Sequence, residues 1–416
     1  MKRDKLVLVS FVSLALLISL VPLFFGCRTP KPPAEKSVAL LNLSDLTGPL
    51  GGINVPGATG GDDYLKDINE RDGIEGIKIN QIVVDTRYDT ARAVSAYKRY
   101  RAEPKLLMVL AISTGVAKAL APFIENDKLV SVISAAGEFQ AKPGRMFMWS
   151  VAYQNVFAAG LDWMVKDWKE KGKPGMPTVG YMSWDSAYGM EFLMGGKEYA
   201  AKIGVNLLPP ELFPTGAPKH DVYLMRLAQN GANYIWAGGI DPTPSSVIRD
   251  AHALGLTKNI QMMSDFYGPH ENIGIKLHPE AVEGTILISH SYMGDDVKAN
   301  PRSQLWTKYQ GRPIEEMDDS YVAAQAWIID PFLEAVRRAS REVGYEKLNG
   351  DAMFKAYKSL TGWIPENSTS PFPCSYSETS RQNYDHIFIY KVVNRKLVRI
   401  TPEPVKVPDA VSLHKW

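Results

Sequence analysis

Short apolar runs alternate with segments of helical period along most of the chain. The runs are rich in β-branched and other apolar residues, whereas the segments between them repeat apolar positions every three or four residues. Alternation of this kind predicts βαβ units and parallel sheets with helices on both faces. In the first third of the chain the predicted strands are 38–44, 78–85, 106–111 and 129–134, and the predicted helices are 56–71, 89–102 and 116–125.

The same pattern restarts after residue 155 and changes near residue 290. The following elements are predicted: helices 156–171, 190–203, 221–229 and 243–254, strands 178–183, 205–208, 233–237, 259–263 and 284–289, then helices 318–342 and 350–360 and strands 371–376, 384–392 and 396–400, the last two joined as a hairpin at Asn394-Arg395. This order predicts an α/β protein with two doubly wound parallel-sheet lobes. The later elements pack back onto them, so the chain crosses between the lobes more than once.

Composition and charge narrow the class of protein. The chain has 47 basic and 45 acidic residues, and 44 of each remain after residue 26. A neutral body without a run of Lys or Arg argues against nucleic acid as a partner, because such binding depends on neutralising phosphates. Two cysteines, Cys27 and Cys374, are too few for a disulfide framework, a zinc ribbon or an iron–sulfur site.

The first 27 residues have the pattern of an export signal. Three basic residues precede an uncharged apolar run over 6–25, which ends at Gly26-Cys27. This junction resembles a bacterial lipobox, although Phe24 and Phe25 stand where that pattern has leucine and a small residue. The resemblance implies a signal peptide over 1–26, lipidation at Cys27 and a Pro-rich tether over 27–37. An uncleaved membrane anchor is the alternative, since 20 apolar residues can just span a bilayer. Lipidation at Cys27 and an uncleaved anchor would each place the rest of the chain outside the cytoplasm, near a membrane.

Motifs for catalysis are missing from the sequence. There is no G-x-S-x-G elbow, P-loop or G-x-G-x-x-G, and the histidines lack the i, i+4 spacing of a helical metal pair. We therefore expect no enzyme, no catalytic residue, no metal and no cofactor.

Five local motifs, in order, resemble the branched-chain amino-acid (Leu/Ile/Val) branch of the type I periplasmic binding proteins. They are Leu46-Thr47-Gly48-Pro49-Leu50, Asp67-Ile68-Asn69 through Gly76, Val84 through Asp89, Ser113 through Pro122, and Asp185-Ser186-Ala187-Tyr188-Gly189. The resemblance implies two lobes, 38–153 with 291–369 and 154–290 with 370–416, which are joined by a multi-crossover hinge and close on a ligand. It also implies a receptor that passes a small solute to an ABC permease. A ligand sensor for a membrane signalling partner is the alternative, because one fold serves both roles.

The resemblance assigns the ligand's carboxylate end to the first lobe. Ser113 and Thr114 open a predicted helix, whose N-terminal amides and dipole suit an anion. The same two residues are equally ordinary N-caps. The loop Ser134-Ala135-Ala136 is expected to close around the ligand, with Gly137 where relatives carry Ser or Thr.

The second lobe is expected to supply Tyr188, Asp265 and Phe266. Tyr188 would pack over the ligand and bond at its rim. Asp265 would pair with an α-amino group, with Asp241 as the alternative acid, and either acid could instead cap a helix. Phe266 would wall a pocket for a side chain. Together these residues predict a carboxylate-bearing ligand, an amino acid first, with a branched-chain or aromatic side chain.

Overall fold

The computed structural model describes residues 35–368 and 370–416. The predicted signal peptide, Cys27 and most of the predicted tether lie outside the described residues. Within the described residues, no helix is both long and apolar enough to cross a membrane.

The first sheet has five strands, all parallel, in the order β2-β1-β3-β4-β5. Its strands are β1 (Ser37–Ser44), β2 (Lys78–Asp85), β3 (Leu106–Ala111), β4 (Val130–Ile133) and β5 (Met146–Met148). Every residue of β3 and β4 is buried, because helices cover both faces of a parallel sheet. The four strands predicted here are confirmed to within a residue or two.

The helices that follow these strands are α1 (Gly51–Glu70), α2 (Thr90–Tyr100), α3 (Thr114–Asn126), α4 (Glu138–Ala141) and α5 (Tyr153–Glu170). Helix α1 begins five residues before its predicted start. Gly51-Gly52 and Gly60-Gly61, which look like turns in the sequence, lie inside it. Gly60 is needed there, because a Cβ would stand 1.8 Å from the Tyr321 carbonyl oxygen of a helix packed against α1.

The second sheet carries a parallel core with antiparallel strands at one edge, in the order β13-β12-β11-β10-β9-β6-β7. Its strands are β6 (Thr178–Trp184), β7 (Asn206–Leu207), β8 (Glu211–Phe213), β9 (Tyr234–Ala237), β10 (Gln261–Asp265), β11 (Ile286–Ser289), β12 (His386–Val393), β13 (Lys396–Arg399) and β14 (Val405–Lys406). β8 pairs with β6, and β14 pairs with β12. The predicted hairpin is confirmed: Asn394 and Arg395 both have positive φ, as a tight two-residue turn requires.

Two predictions in this half are wrong. The helix predicted over 190–203 is two helices, because Gly195 has φ +101° and breaks it. The strand predicted over 371–376 is a loop; Pro371 and Pro373 have no N–H to donate to a ladder. The helices here are α6 (Ala187–Glu191), α7 (Gly196–Ile203), α8 (Asp221–Gln229) and α9 (Thr243–Ala253).

The chain returns to the first sheet after β11. It forms α10 (Asp295–Lys298), α11 (Ser320–Ala324), α12 (Asp330–Val343) and α13 (Gly350–Lys358) before entering β12. A π-helical turn over Gln325–Ile329 joins α11 to α12, so the long helix predicted over 318–342 is continuous but not uniform. Helix α11 packs on α1, and α13 packs on β3 and β4. The chain therefore passes between the two sheets three times.

Candidate ligand-binding cleft

Two cavities, joined by four lining residues that they share, lie where the carboxyl ends of the two sheets meet. The outer cavity, of about 30 Å³, is reached from the ends of β3 and β9. The inner cavity, of about 70 Å³, continues from it along the face of the first sheet. Both are lined by Asn54, Ile112, Trp149 and Tyr267. Open α/β sheets bind ligands off these strand ends, which makes the joined cavities the candidate site.

The described residues that line the two cavities carry no charged side chain. The outer cavity is lined by Leu50, Asn54, Tyr88, Ile112, Ser113, Thr114, Trp149, Tyr153, Tyr188, Ile240 and Tyr267. The inner cavity is lined by Asn42, Ser44, Ile53, Asn54, Gly57, Ala58, Gly61, Gln81, Leu110, Ile112, Trp149, Phe266, Tyr267, Ser320, Ala323, Ala324, Trp327, Ile328 and Ile329. A ligand held here meets aromatic and aliphatic surface with a few polar groups.

Ser113 and Thr114 line the outer cavity, and both of their hydroxyls already have partners. Ser113 is the N-cap of α3, and its Oγ accepts from the Val116 amide at 3.2 Å. Thr114 Oγ1 lies 3.2 Å from Ser134 Oγ in a buried contact. The capping alternative therefore holds for Ser113. The backbone amides of Thr114 and Gly115, in the first turn of α3, have no acceptor within the helix.

The loop Ser134-Ala135-Ala136 lies behind this helix terminus rather than on either cavity wall. Ser134 supports Thr114, and the Ala135 carbonyl accepts from the Tyr153 amide at 3.0 Å. At Gly137 a Cβ would stand 2.6 Å from Gln154 Oε1, so a larger residue would displace that side chain. The glycine makes room for Gln154.

Tyr188 lines the outer cavity together with Thr114. Its hydroxyl donates to the Gly239 carbonyl at 3.1 Å, and its ring meets Tyr153 edge-on at 5.2 Å between centroids. Tyr153 stacks on Phe192 at 4.8 Å, and its hydroxyl lies 3.4 Å from that of Tyr267. The sequence singled out Tyr188, whereas Tyr153 carried no signal beyond its place at the start of a helix.

Both candidate acids are buried, and neither lines a cavity. Asp265 is 2% exposed, its Oδ1 accepts from the Tyr267 amide at 3.1 Å, and burial raises its pKa to about 7. Asp241 accepts from the amides of His270 and Gly274 and from Ser245 Oγ, and burial raises its pKa. Asp241 therefore orders the loop around it. Asp265 lies behind the wall of tyrosines.

Phe266 lines the inner cavity as part of an aromatic cluster. Its ring meets Trp327 edge-on at 4.6 Å, and Trp327 lies 4.4 Å from the His290 ring. Burial lowers the pKa of His290 to about 3, so its ring is neutral. Trp327 Nε1 is buried without a hydrogen-bond partner among the described residues. Trp327 carries no signal in the sequence, because it reaches the cleft only through the packing of α11 and the π-helical turn on α1.

Contacts between elements of the two sheets close the cleft. The Tyr88 and Trp184 rings meet edge-on at 6.0 Å. Lys118 of α3 forms an ion pair with the fully buried Glu191 of α6, and Gln154 Nε2 donates to the same carboxylate at 2.9 Å. These contacts hold the two sheets around the cavities.

A family model described as periplasmic binding protein matches residues 37–396. The chain belongs to this family. Its fold is that of ABC-transporter substrate-binding proteins, as the resemblance in the sequence implied, and such proteins act outside the cytoplasm.

Three comparisons describe its similarity to known proteins. The Leu/Ile/Val/Thr-binding protein of Salmonella typhimurium is 21% identical over 263 residues, which are 61% of this chain and 68% of that protein. A branched-chain amino-acid ABC transporter protein from Thermus thermophilus, solved with bound valine, has a TM-score of 0.79 and 18% identity, with 91% of this chain and 98% of that chain covered. A fatty acid ABC transporter substrate-binding protein from Thermomonospora curvata has a TM-score of 0.77 and 17% identity, with 91% and 95% covered.

Proposed function

We propose that this protein is the solute receptor of an ABC importer and that it holds a carboxylate-bearing small molecule between its two sheets. The observation that carries the proposal is the pair of joined cavities, which both sheets enclose at their carboxyl ends. Ligand contacts to both sides at once would stabilise the closed arrangement selectively. We take the closing bodies to be 38–153 with 291–369 and 154–290 with 370–416.

The carboxylate would sit at the start of α3. The free amides of Thr114 and Gly115 and the positive end of the helix dipole favour an anion there. A carboxylate placed in the outer cavity would also lie beside the Tyr188 and Tyr153 hydroxyls. Of the three proteins compared above, two are named for amino acids and one for a fatty acid. All of these ligands are carboxylates, which supports this ligand class.

A thermal-unfolding screen tests the ligand class. Leucine, phenylalanine, benzoate and octanoate would each be compared with the matched amide and with sugars and polyamines. An acid present at 100 times its Kd should stabilise the protein by about 2.7 kcal/mol, whereas its amide should not. Stabilisation by sugars or polyamines alone would refute the proposal.

The ligand could be an amino acid or an acid without an ammonium group, and these two versions of the proposal differ in the role of Asp265. If its carboxylate pairs with an ammonium group, Asp265→Asn should weaken leucine binding strongly and leave octanoate binding unchanged. Equal binding of leucine by both proteins would show that Asp265 does not hold an ammonium group.

Transport and sensing are separated by uptake in the source cells. Deleting the gene should abolish high-affinity uptake of the labelled ligand. Unchanged uptake, together with loss of a cellular response to the ligand, would favour the sensor.

We further propose that Cys27 is the lipidated N-terminus of the mature protein. Intact-mass analysis of the membrane-extracted protein should show a chain that starts at Cys27 with added lipid. A retained Met1 would instead support an uncleaved anchor.

A further inference from the structure

The inner cavity leads away from the cleft into the body of the first sheet's half. It runs from Asn54 to Gly61 on α1, which is about 10 Å at 1.5 Å per residue. On the opposite wall it runs from Ser44 back to Asn42 along β1, in the same direction. The cavity is therefore a passage between α1, the sheet and α11.

Two glycines of α1 make this passage, and the packing of the helices does not require them. Gly60 is required, because a Cβ would clash with the Tyr321 carbonyl. At Gly57 a Cβ would stand 3.5 Å from its nearest neighbour, and at Gly61 3.8 Å, which are ordinary contacts. Both have helical φ, and glycine destabilises a helix interior relative to alanine. The space that they leave is therefore a feature with a stability cost and no packing benefit.

The passage is narrow, and its wall is mostly apolar. It is about 10 Å long for a volume of about 70 Å³, and so slender a space suits an unbranched chain better than a ring. At the far end stands Asn42, 3% exposed, whose Oδ1 has no hydrogen-bond partner among the described residues. A donor at the end of a bound chain would satisfy that oxygen.

We propose that the inner cavity binds the unbranched chain of a carboxylic acid whose carboxylate lies in the outer cavity, and that a hydroxyl at the chain's far end donates to Asn42. This inference rests on the proposed function of the cleft. It names a ligand class: medium-chain acids with a terminal hydroxyl.

Calorimetric titration with butanoate, octanoate and 8-hydroxyoctanoate tests the proposal. Affinity should rise at least tenfold from butanoate to octanoate and rise again for 8-hydroxyoctanoate. Gly61→Ala should raise the melting temperature, weaken octanoate binding at least tenfold and leave butanoate binding unchanged. Thr59→Ala, also on α1 but away from the cavity, should leave both affinities unchanged. Asn42→Leu should remove the preference for the hydroxy acid.

The outcomes separate this inference from the function on which it rests. If leucine or butanoate binds but affinity does not depend on chain length, or if Gly61→Ala weakens butanoate and octanoate equally, the chain-binding role is wrong and the carboxylate cleft stands. If the hydroxy acid binds no better than octanoate, the role of Asn42 is wrong. If no carboxylate binds, the proposed function itself fails.

Discussion

Lys118 of α3 and Glu191 of α6 form an ion pair that joins the helices of the two sheets across the cleft. The Glu191 side chain is fully buried, and Gln154 donates to it from the start of α5. A buried carboxylate that loses its cation is costly, so we expect separation of the two sheets, which would break this pair, to carry an energetic penalty. We therefore expect the charge on Glu191 to favour closure of the cleft.

Removing the charge of Glu191 should therefore favour opening. Glu191→Gln keeps the shape and a hydrogen-bonding group but loses the ion pair with Lys118. We expect ligand affinity to fall about tenfold, which corresponds to about 1.4 kcal/mol, because ligand binds the closed state. Small-angle scattering should show a larger radius of gyration for the unliganded variant.

The control for that variant is Glu170→Gln, which breaks an exposed pair with Lys166 within one helix. This variant should change neither the ligand affinity nor the radius of gyration. An unchanged affinity in Glu191→Gln would mean that the pair plays no part in closure.

Replacing both Ser113 and Thr114 with alanine should affect stability and binding together. Ser113 caps α3, so its loss should cost about 1 kcal/mol of unfolding free energy, and affinity for a carboxylate should fall by a few kcal/mol at most. Asn349→Ala removes a similar cap from α13, far from the cleft. That control should lose stability and keep affinity. A double variant that binds as tightly as the native protein would show that the two hydroxyls take no part in holding the carboxylate, and would leave the backbone amides of α3 as its only donors there.

Gly137 should resist replacement by serine, the residue type that relatives carry there. The new Cβ would collide with Gln154 and disturb its bond to Glu191, at a cost of about 1–3 kcal/mol. Chemical denaturation measures this cost. Combining Gly137→Ser with Gln154→Ala should cost less than the two single changes added together. Simple additivity would show that the two residues do not compete for space.

Asp265 should make stability depend on pH in a defined direction. Its pKa is about 7 in the folded protein and about 3.9 in an unfolded chain, so the folded state holds the proton more tightly. The stabilisation is fully present below pH 4 and is lost as pH rises through 7. Relative to the native protein, Asp265→Asn should therefore gain stability between pH 5 and pH 8, on the order of a few kcal/mol.

Denaturation of both proteins in the same buffers at pH 5 and pH 8 tests this. Comparing the two cancels the contributions of groups that they share, such as His290. A difference between the two proteins that stays constant with pH would contradict the raised pKa.

The sequence predicted the first sheet well and the cleft only in part. Strands such as β3 are continuous apolar runs bounded by polar segments, and this pattern depends only on residues that are neighbours in the sequence. Ser113 and Thr114 were found because they follow such a strand. Gly51 and Gly52 look like a turn locally, but Gly51 starts α1, and Gly52 lies where a Cβ would come within 2.9 Å of the Asp241 carbonyl. The need for glycine at position 52 therefore comes from a residue that is distant in the chain.

The inner cavity could not be read from the sequence at all. Gly61 and Trp327 lie far apart in the chain, and they share a wall only because α11 packs against α1. Asp265 also depends on packing that the local pattern does not show. The strand predicted over 259–263 ends before Asp265, whereas Asp265 is the last residue of β10. Tyr153 and Tyr188 come from other segments, and Asp265 does not reach the cavity wall that they form. Local pattern gives the strand end, whereas packing decides which side chains reach the ligand.

A crystal structure with the acid that binds most tightly in the screen would show where the ligand lies and which way its carboxylate points. The carboxylate should lie within hydrogen-bond distance of the Thr114 and Gly115 amides, with the rest of the ligand between Trp149 and Tyr267. A ligand bound outside the two joined cavities, or one whose carboxylate points away from α3, would contradict the account.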